Sequence, residues 1–143
     1  MAADEERLIK LEVIWILGNL ACGTKEDIFK ILNPIYGILP AIDIILKTPD
    51  ELFLEQILWF IGNVCGEAKE FQEIVISNTR IFSVFGSLAQ EQRIPQSLLK
   101  TLGWVNSNFS RYKNLNEMQT RIVASIAKAG LLYGDITTVS DSL

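Results

Sequence analysis

The chain has 143 residues, 49% of them hydrophobic, which suits one domain with a buried core and excludes a disordered polymer. Its 13 Lys and Arg against 17 Asp and Glu leave a formal charge of −4, the wrong sign for affinity built on neutralising phosphates. Histidine is absent, and with it the commonest general base, the commonest metal ligand and every Ser-His or Cys-His nucleophile pair.

Taken in chain order, the pattern reads as helix throughout. Leu8, Leu11, Ile14 and Trp15 recur at three-to-four-residue spacing, the signature of one apolar helix face. The chain then predicts a short helix over Lys25–Leu32 and a second over Pro34–Lys47, with Asn33 as cap and Pro34 at the first helical position. A third helix over Pro49–Gly66 opens on Thr48-Pro49-Asp50-Glu51, with acids in the first turn where the helix dipole favours them. Ala68–Ser77, Thr79–Gln90 and Pro95–Arg111 repeat the scheme; the β-branched run Ile74-Val75-Ile76 continues a helical spacing from Phe71 and stays helical. Asp135–Leu143 predicts one more helix, the third of its repeat. Uncharged stretches such as Val13–Thr24 and Ile31–Ile42 run to only about a dozen residues, against roughly 20 for a membrane span. The acidic N-terminus is unlike a secretory leader.

A repeat lies over these elements. Trp15-Ile16-Leu17-Gly18-Asn19, Trp59-Phe60-Ile61-Gly62-Asn63 and Trp104-Val105-Asn106-Ser107-Asn108 share the form Trp-x-x-(Gly/Ser)-Asn, at intervals of 44 and 45 positions. Helical solenoids of the armadillo and HEAT type have periods of about 40 to 47 residues, and three helices per period favour armadillo. The expected fold is therefore all-α: a right-handed superhelical armadillo solenoid of about three repeats, truncated at both ends. It forms a single domain over 1–143, with a partial repeat over 1–23, repeats over 24–66 and 67–111, and a partial repeat over 112–143. Gly18 and Gly62 cost helix propensity, which predicts close helix–helix approach there. Cys22 and Cys65, 43 positions apart with no CxxC pair, suggest neither zinc nor a disulfide and are expected to be small core residues under helix ends.

Residues at i and i+4 share a helix face, so each Trp-Asn pair projects the same way and stacking would align the pairs in a ladder. An asparagine amide carries both donor and acceptor for the unpaired backbone of an extended peptide. Neighbouring indoles form slots for long aliphatic stems ending in a cation, each exposed contact contributing about 0.5–1 kcal/mol. Helices pack about 8–10 Å apart and an extended chain advances about 3.3–3.6 Å per residue, so one step of the ladder matches two to three peptide residues.

The segment Glu55–Glu67, with Gln56 three before Trp59 and Glu67 eight after it, resembles the third repeat of the importin-α family, the armadillo receptors for basic nuclear localisation signals. Trp104–Asn114, with Ser107-Asn108 and the Arg111-Tyr112-Lys113-Asn114 tail, resembles the fourth, which makes the Trp15 copy the second. The resemblance implies a signal-binding groove built on Trp15, Asn19, Gln56, Trp59, Asn63, Trp104 and Asn108. Within it Glu67 and the Gly23 carbonyl would hold the key lysine. Ile28 replaces a family threonine and Thr101 a family asparagine. The implied partners are cargo proteins with basic signals, in cytoplasm and nucleus. Importin-β would join only through a further N-terminal segment, and no nucleic acid, membrane, metal or cofactor is implied.

A generic armadillo scaffold for some other linear segment is the alternative. Glu12, Gln56 and Glu67 around the indoles favour a basic ligand, whereas Arg111 and Lys113 near the third step count against it. No catalytic constellation is present: the acids are scattered, the glycines form no phosphate loop, and Ser107 and Ser110 have no base in reach.

Overall fold

The computed structural model describes residues 2–47, 50–90 and 94–140, and the regular elements among them are all helices. They run α1 (Ala2–Leu20), α2 (Lys25–Ile31), α3 (Leu39–Ile45), α4 (Glu51–Glu67), α5 (Lys69–Asn78), α6 (Ile81–Gln90), α7 (Gln96–Ser110) and α8 (Glu117–Ser140).

Local chemistry sets most of the starts. Asp4 and Glu5 occupy the first turn of α1, where the dipole favours acids. A capping box opens α2: the Asp27 N–H donates to Thr24 Oγ1 and the Thr24 N–H to Asp27 Oδ2, each at 3.2 Å. Asp50 caps α4, accepting from the Leu52 and Phe53 N–H groups at 3.0 and 3.2 Å. The same carboxylate receives Arg7 Nε at 3.0 Å, which pins α1 to the start of α4 and holds Asp50 below the usual carboxylate range. Arg80 does the same between α6 and α3, donating its backbone N–H to Asp43 at 2.8 Å and its guanidinium at 3.0 and 3.1 Å. Those guanidinium hydrogen bonds likewise lower the Asp43 pKa.

Two expected helices are corrected. Pro34 does not start a helix over 34–47. Asn33 Oδ1 accepts from the Ile35 and Tyr36 N–H groups at 2.9 and 3.2 Å, but this closes only a turn, and α3 begins at Leu39. The reason is Pro40: inside a longer helix its ring would strike the Tyr36 carbonyl and its missing N–H would break the ladder, whereas in the first turn of α3 both defects are harmless. Nor does a separate helix begin at Asp135, because α8 runs unbroken from Glu117 to Ser140. No proline interrupts that stretch, and a glycine costs only about 1 kcal/mol, too little to break it. Thr48 and Pro49 of the third expected helix, and residues 141–143 of the last, lie outside the described residues.

The three long helices that carry the repeated motif lie side by side, α4 between α1 and α7, with α5 against α3 and α4, and α8 against α6 and α7. Covered from several directions, α4 is apolar almost all round, and Ile57, Leu58, Phe60, Ile61, Val64 and Cys65 are all buried. Behind α7, Phe82, Phe85 and Phe109 form a triad with centroids 5.1–5.8 Å apart, Phe109 meeting both others edge to face and Phe82 tilted on Phe85. Two buried amides tie helices across the core: Gln72 Nε2 donates to the Phe109 carbonyl at 2.7 Å and Asn106 Nδ2 to the Val123 carbonyl at 2.9 Å. One period before the buried Ile57, Phe60 and Val64 stand Val13, Ile16 and Leu20, and these are exposed because no helix among the described residues covers that side of α1.

The cysteines differ. Cys65 is a core residue as expected, and burial pushes its thiol pKa far up, which makes it unreactive. Cys22, expected in the core, is exposed in the turn after α1, where Sγ–H donates to the Gly18 carbonyl at 3.6 Å.

Candidate functional site

The repeated motif occupies one face of each long helix. Positions i, i+4, i+7 and i+8 from each tryptophan are Trp15, Asn19, Cys22 and Gly23 at α1; Trp59, Asn63, Gly66 and Glu67 on α4; and Trp104, Asn108, Arg111 and Tyr112 at α7. The glycines seat the indoles. A Cβ on Gly18 would stand 3.0 Å from the Trp59 ring, and one on Gly62 would overlap the Trp104 ring outright. Close approach at Gly18 and Gly62 is thus met by the next repeat's tryptophan. A Cβ on Gly66 would touch the Asn108 amide at 3.1 Å, so Trp104 and Asn108 each sit on the α4 position three further along. This constant offset means that α4 and α7 run parallel, and Trp59 on Gly18 places α4 against α1 in the same register. Glu67 is the last residue of α4, one turn beyond Asn63.

This seating sets an order among three alanine substitutions. Gly103, in the interior of α7, has open space where a Cβ would go, so Gly103→Ala is expected to raise stability by roughly 0.5–1 kcal/mol through helix propensity alone. Gly62→Ala gains the same propensity but must push Trp104 aside, for a net loss of up to about 2 kcal/mol and a change in tryptophan emission. Gly18→Ala falls between them. Thermal melts and fluorescence spectra check the order; Gly62→Ala matching Gly103→Ala would refute the seating.

All three indoles remain partly open, Trp15 at 54%, Trp59 at 39% and Trp104 at 38% of full exposure, so the rings are available to a ligand. Trp15 and Trp59 face a cleft of about 290 Å³ whose other walls are Glu55, Gln56 and Thr101. Glu55 is shared with a second cleft of about 500 Å³ lined by Arg7, Asp50, Glu51 and Leu52, so the acidic character extends beyond the indoles. Glu55 had no role in the sequence reading, although it lies four positions before Trp59, on the same helix face. Asn19, Gly23 and Glu67 are exposed.

The two inner asparagines differ, and the hydrogen bonds say why. Asn108 is buried: Nδ2 donates to the Gly62 carbonyl at 3.0 Å and Oδ1 accepts from Arg111 Nη2 at 3.2 Å. Its amide is engaged inside the protein. Asn63 is partly open as a residue, but its Nδ2 is buried and has no partner. The equivalent carbonyl for it, that of Gly18, accepts instead from Cys22 Sγ–H. Gly66, at the position matching Cys22, offers no such competitor in the next step. Asn63 therefore carries a buried, unsatisfied donor one turn along α4 from Trp59.

The carbonyl ends of the helices differ in the same way. That of α4 is filled: Arg111 Nη1 and Tyr112 Oη both donate to the Gly66 carbonyl, at 2.8 and 2.9 Å. The matching residues one repeat earlier are Gly66, which has no side chain, and Glu67, which can only accept. Among the described residues no hydrogen bond reaches the Cys22 or Gly23 carbonyl. Unfilled carbonyls at a helix C-terminus favour a cation. Among the described residues no cluster of three His, Cys, Asp or Glu could hold a metal, and no helix is long and apolar enough to cross a membrane.

No protein-family model matches the chain. It is 28% identical over 105 residues to importin subunit alpha-1b of Oryza sativa subsp. japonica, covering 73% of this chain and 19% of that protein. It is 28% identical over 113 residues to importin subunit alpha-6 of Arabidopsis thaliana, covering 79% and 20%. With importin subunit alpha-1a of Oryza sativa subsp. japonica the identity is 26% over 127 residues, 89% of this chain and 23% of that protein. The chain thus spans about a fifth of the length of the curated relatives it matches.

Proposed function

We propose, from a chain that is related to the importin α subunits and shares their armadillo architecture, that it binds lysine-rich nuclear localisation signals in extended form and acts in nuclear import between cytoplasm and nucleus. The observation that carries this reading is the cleft between the Trp15 and Trp59 rings, walled by Glu55 and Gln56. A lysine stem packs between indoles while its ammonium meets ring faces and carboxylates. At the far end of the same step, Glu67 and the open carbonyls of Cys22 and Gly23 take a second ammonium. Asn63 Nδ2, which lacks a partner in the free protein, donates to a peptide carbonyl after a small rotation of its amide. Trp104 extends the platform. Arg111 shows within the molecule what a basic side chain does at such a helix end: it reaches the carbonyl of the preceding long helix at 2.8 Å.

A tryptophan fluorescence titration tests the reading. A lysine-rich peptide is expected to bind with marked salt dependence and its alanine-substituted control far more weakly, since exposed charge pairs are screened. Glu67→Lys should weaken binding roughly tenfold to a hundredfold, the loss of one charge-assisted contact, while Glu70→Lys changes it little. Equal binding of peptide and control would end the proposal.

A further inference from the structure

Charge is not uniform along the shared face. Four positions before the tryptophan, α4 carries Glu55 and α7 carries Lys100; seven positions after it, α4 carries Gly66 and α7 carries Arg111. Both changes are toward positive, and both fall on the helix face that bears the indole. Arg111 is also held in place. Its two terminal nitrogens donate to the Gly66 carbonyl at 2.8 Å and to Asn108 Oδ1 at 3.2 Å, so the guanidinium is fixed across the α4–α7 step. At the α1–α4 step the corresponding position on α4 is Gly66, followed by Glu67, and no cation among the described residues is bonded to the Cys22 or Gly23 carbonyl.

We propose that Arg111 is a resident cation that fills the α4–α7 step and sets the charge pattern of the ligand. The peptide then places its lysine at the α1–α4 step and an acidic or uncharged residue two to three positions away on the Trp104 side. This deepens the peptide-binding reading and rests on it. Two long cations cannot share one carbonyl end, and a ligand lysine brought there meets Arg111 at close range with Lys100 on the same face. A ligand glutamate finds the outer edge of a guanidinium whose geometry suits a carboxylate. Because Arg111 is already bonded to the protein, its position costs the complex little further ordering.

The test uses the whole chain and a set of lysine-rich peptides with one central lysine kept, carrying Glu, Ala or Lys two or three residues to either side. The wild-type protein is expected to prefer Glu over Lys by about three- to tenfold on one side of the central lysine only, as expected for a single partly exposed charge pair. Arg111→Glu should reverse that preference. Arg111→Gln keeps a donor for the Gly66 carbonyl and removes the charge, so it should flatten the preference with an unchanged melting temperature, which separates charge from folding. If all three proteins bind the set with the same ranking, Arg111 does not read ligand charge and the inference falls while the peptide-binding reading stands. If no peptide binds the wild type, both fall.

Discussion

Replacing Trp59 and Asn63 together by alanine is expected to abolish binding of a lysine-rich peptide. Trp59 has two parts in the α1–α4 step: it walls the cleft with Trp15 and lies on Gly18 of α1. Asn63 supplies the donor that the fold leaves unsatisfied. The loss joins a cation–indole contact of about 0.5–2 kcal/mol, a main-chain hydrogen bond of about 0.5–1.5 kcal/mol and the wall that excludes water from the remaining contacts. Together these amount to a factor of a hundred or more in affinity. The folded state should survive, since both side chains are partly exposed and the buried face of α4, with Ile57, Phe60, Ile61 and Val64, is untouched. Circular dichroism establishes folding and the titration establishes binding. A folded double variant that still binds would place the site elsewhere.

Phe109→Ala is expected to cost about 3–5 kcal/mol of stability, the range for emptying a phenylalanine site in a packed core. Phe109 is fully buried, meets Phe82 and Phe85 edge to face, and ends the helix whose carbonyl accepts from Gln72. Domains of this size are stable by about 5–15 kcal/mol, so the loss is a large share of the whole. It should fall first on the α4–α7 step, because Phe109 fixes the end of the helix that carries Trp104 and Arg111. Urea denaturation measures the effect as a lowered midpoint with an unchanged slope. A shift equivalent to less than about 1 kcal/mol would show that the aromatic triad is not the anchor of α7.

The helical class, the three-helix period and the ladder were legible because each rests on spacing. Three tryptophans at 44 and 45 positions, each followed four residues later by asparagine, need no coordinates to place them on one face of equivalent helices. The boundaries of α2 and of α5 to α7 fell within a few residues for the same reason, since caps and prolines act locally. The helix expected over 34–47 failed because a start at Asn33-Pro34 takes no account of Pro40: a helix running through Pro40 would place its ring in the interior, whereas α3 holds it in the first turn. Asp135 resembles a start in sequence, but the unbroken stretch simply continues through it.

What the residues determined by themselves is the identity of the rungs: type and spacing place Trp, Gly and Asn on one face of each repeat through the pitch of a single helix. What only the tertiary structure decided is which rungs are free. Whether an asparagine amide or a carbonyl end is open depends on the neighbouring helix, through a three-residue offset that no pattern within one helix encodes. That offset engages Asn108 with the Gly62 carbonyl, leaves Asn63 Nδ2 without a partner, and sets Arg111 on the carbonyl of Gly66. Periodicity reports which way a side chain points, whereas hydrogen-bond competition between packed helices reports what it has left to give.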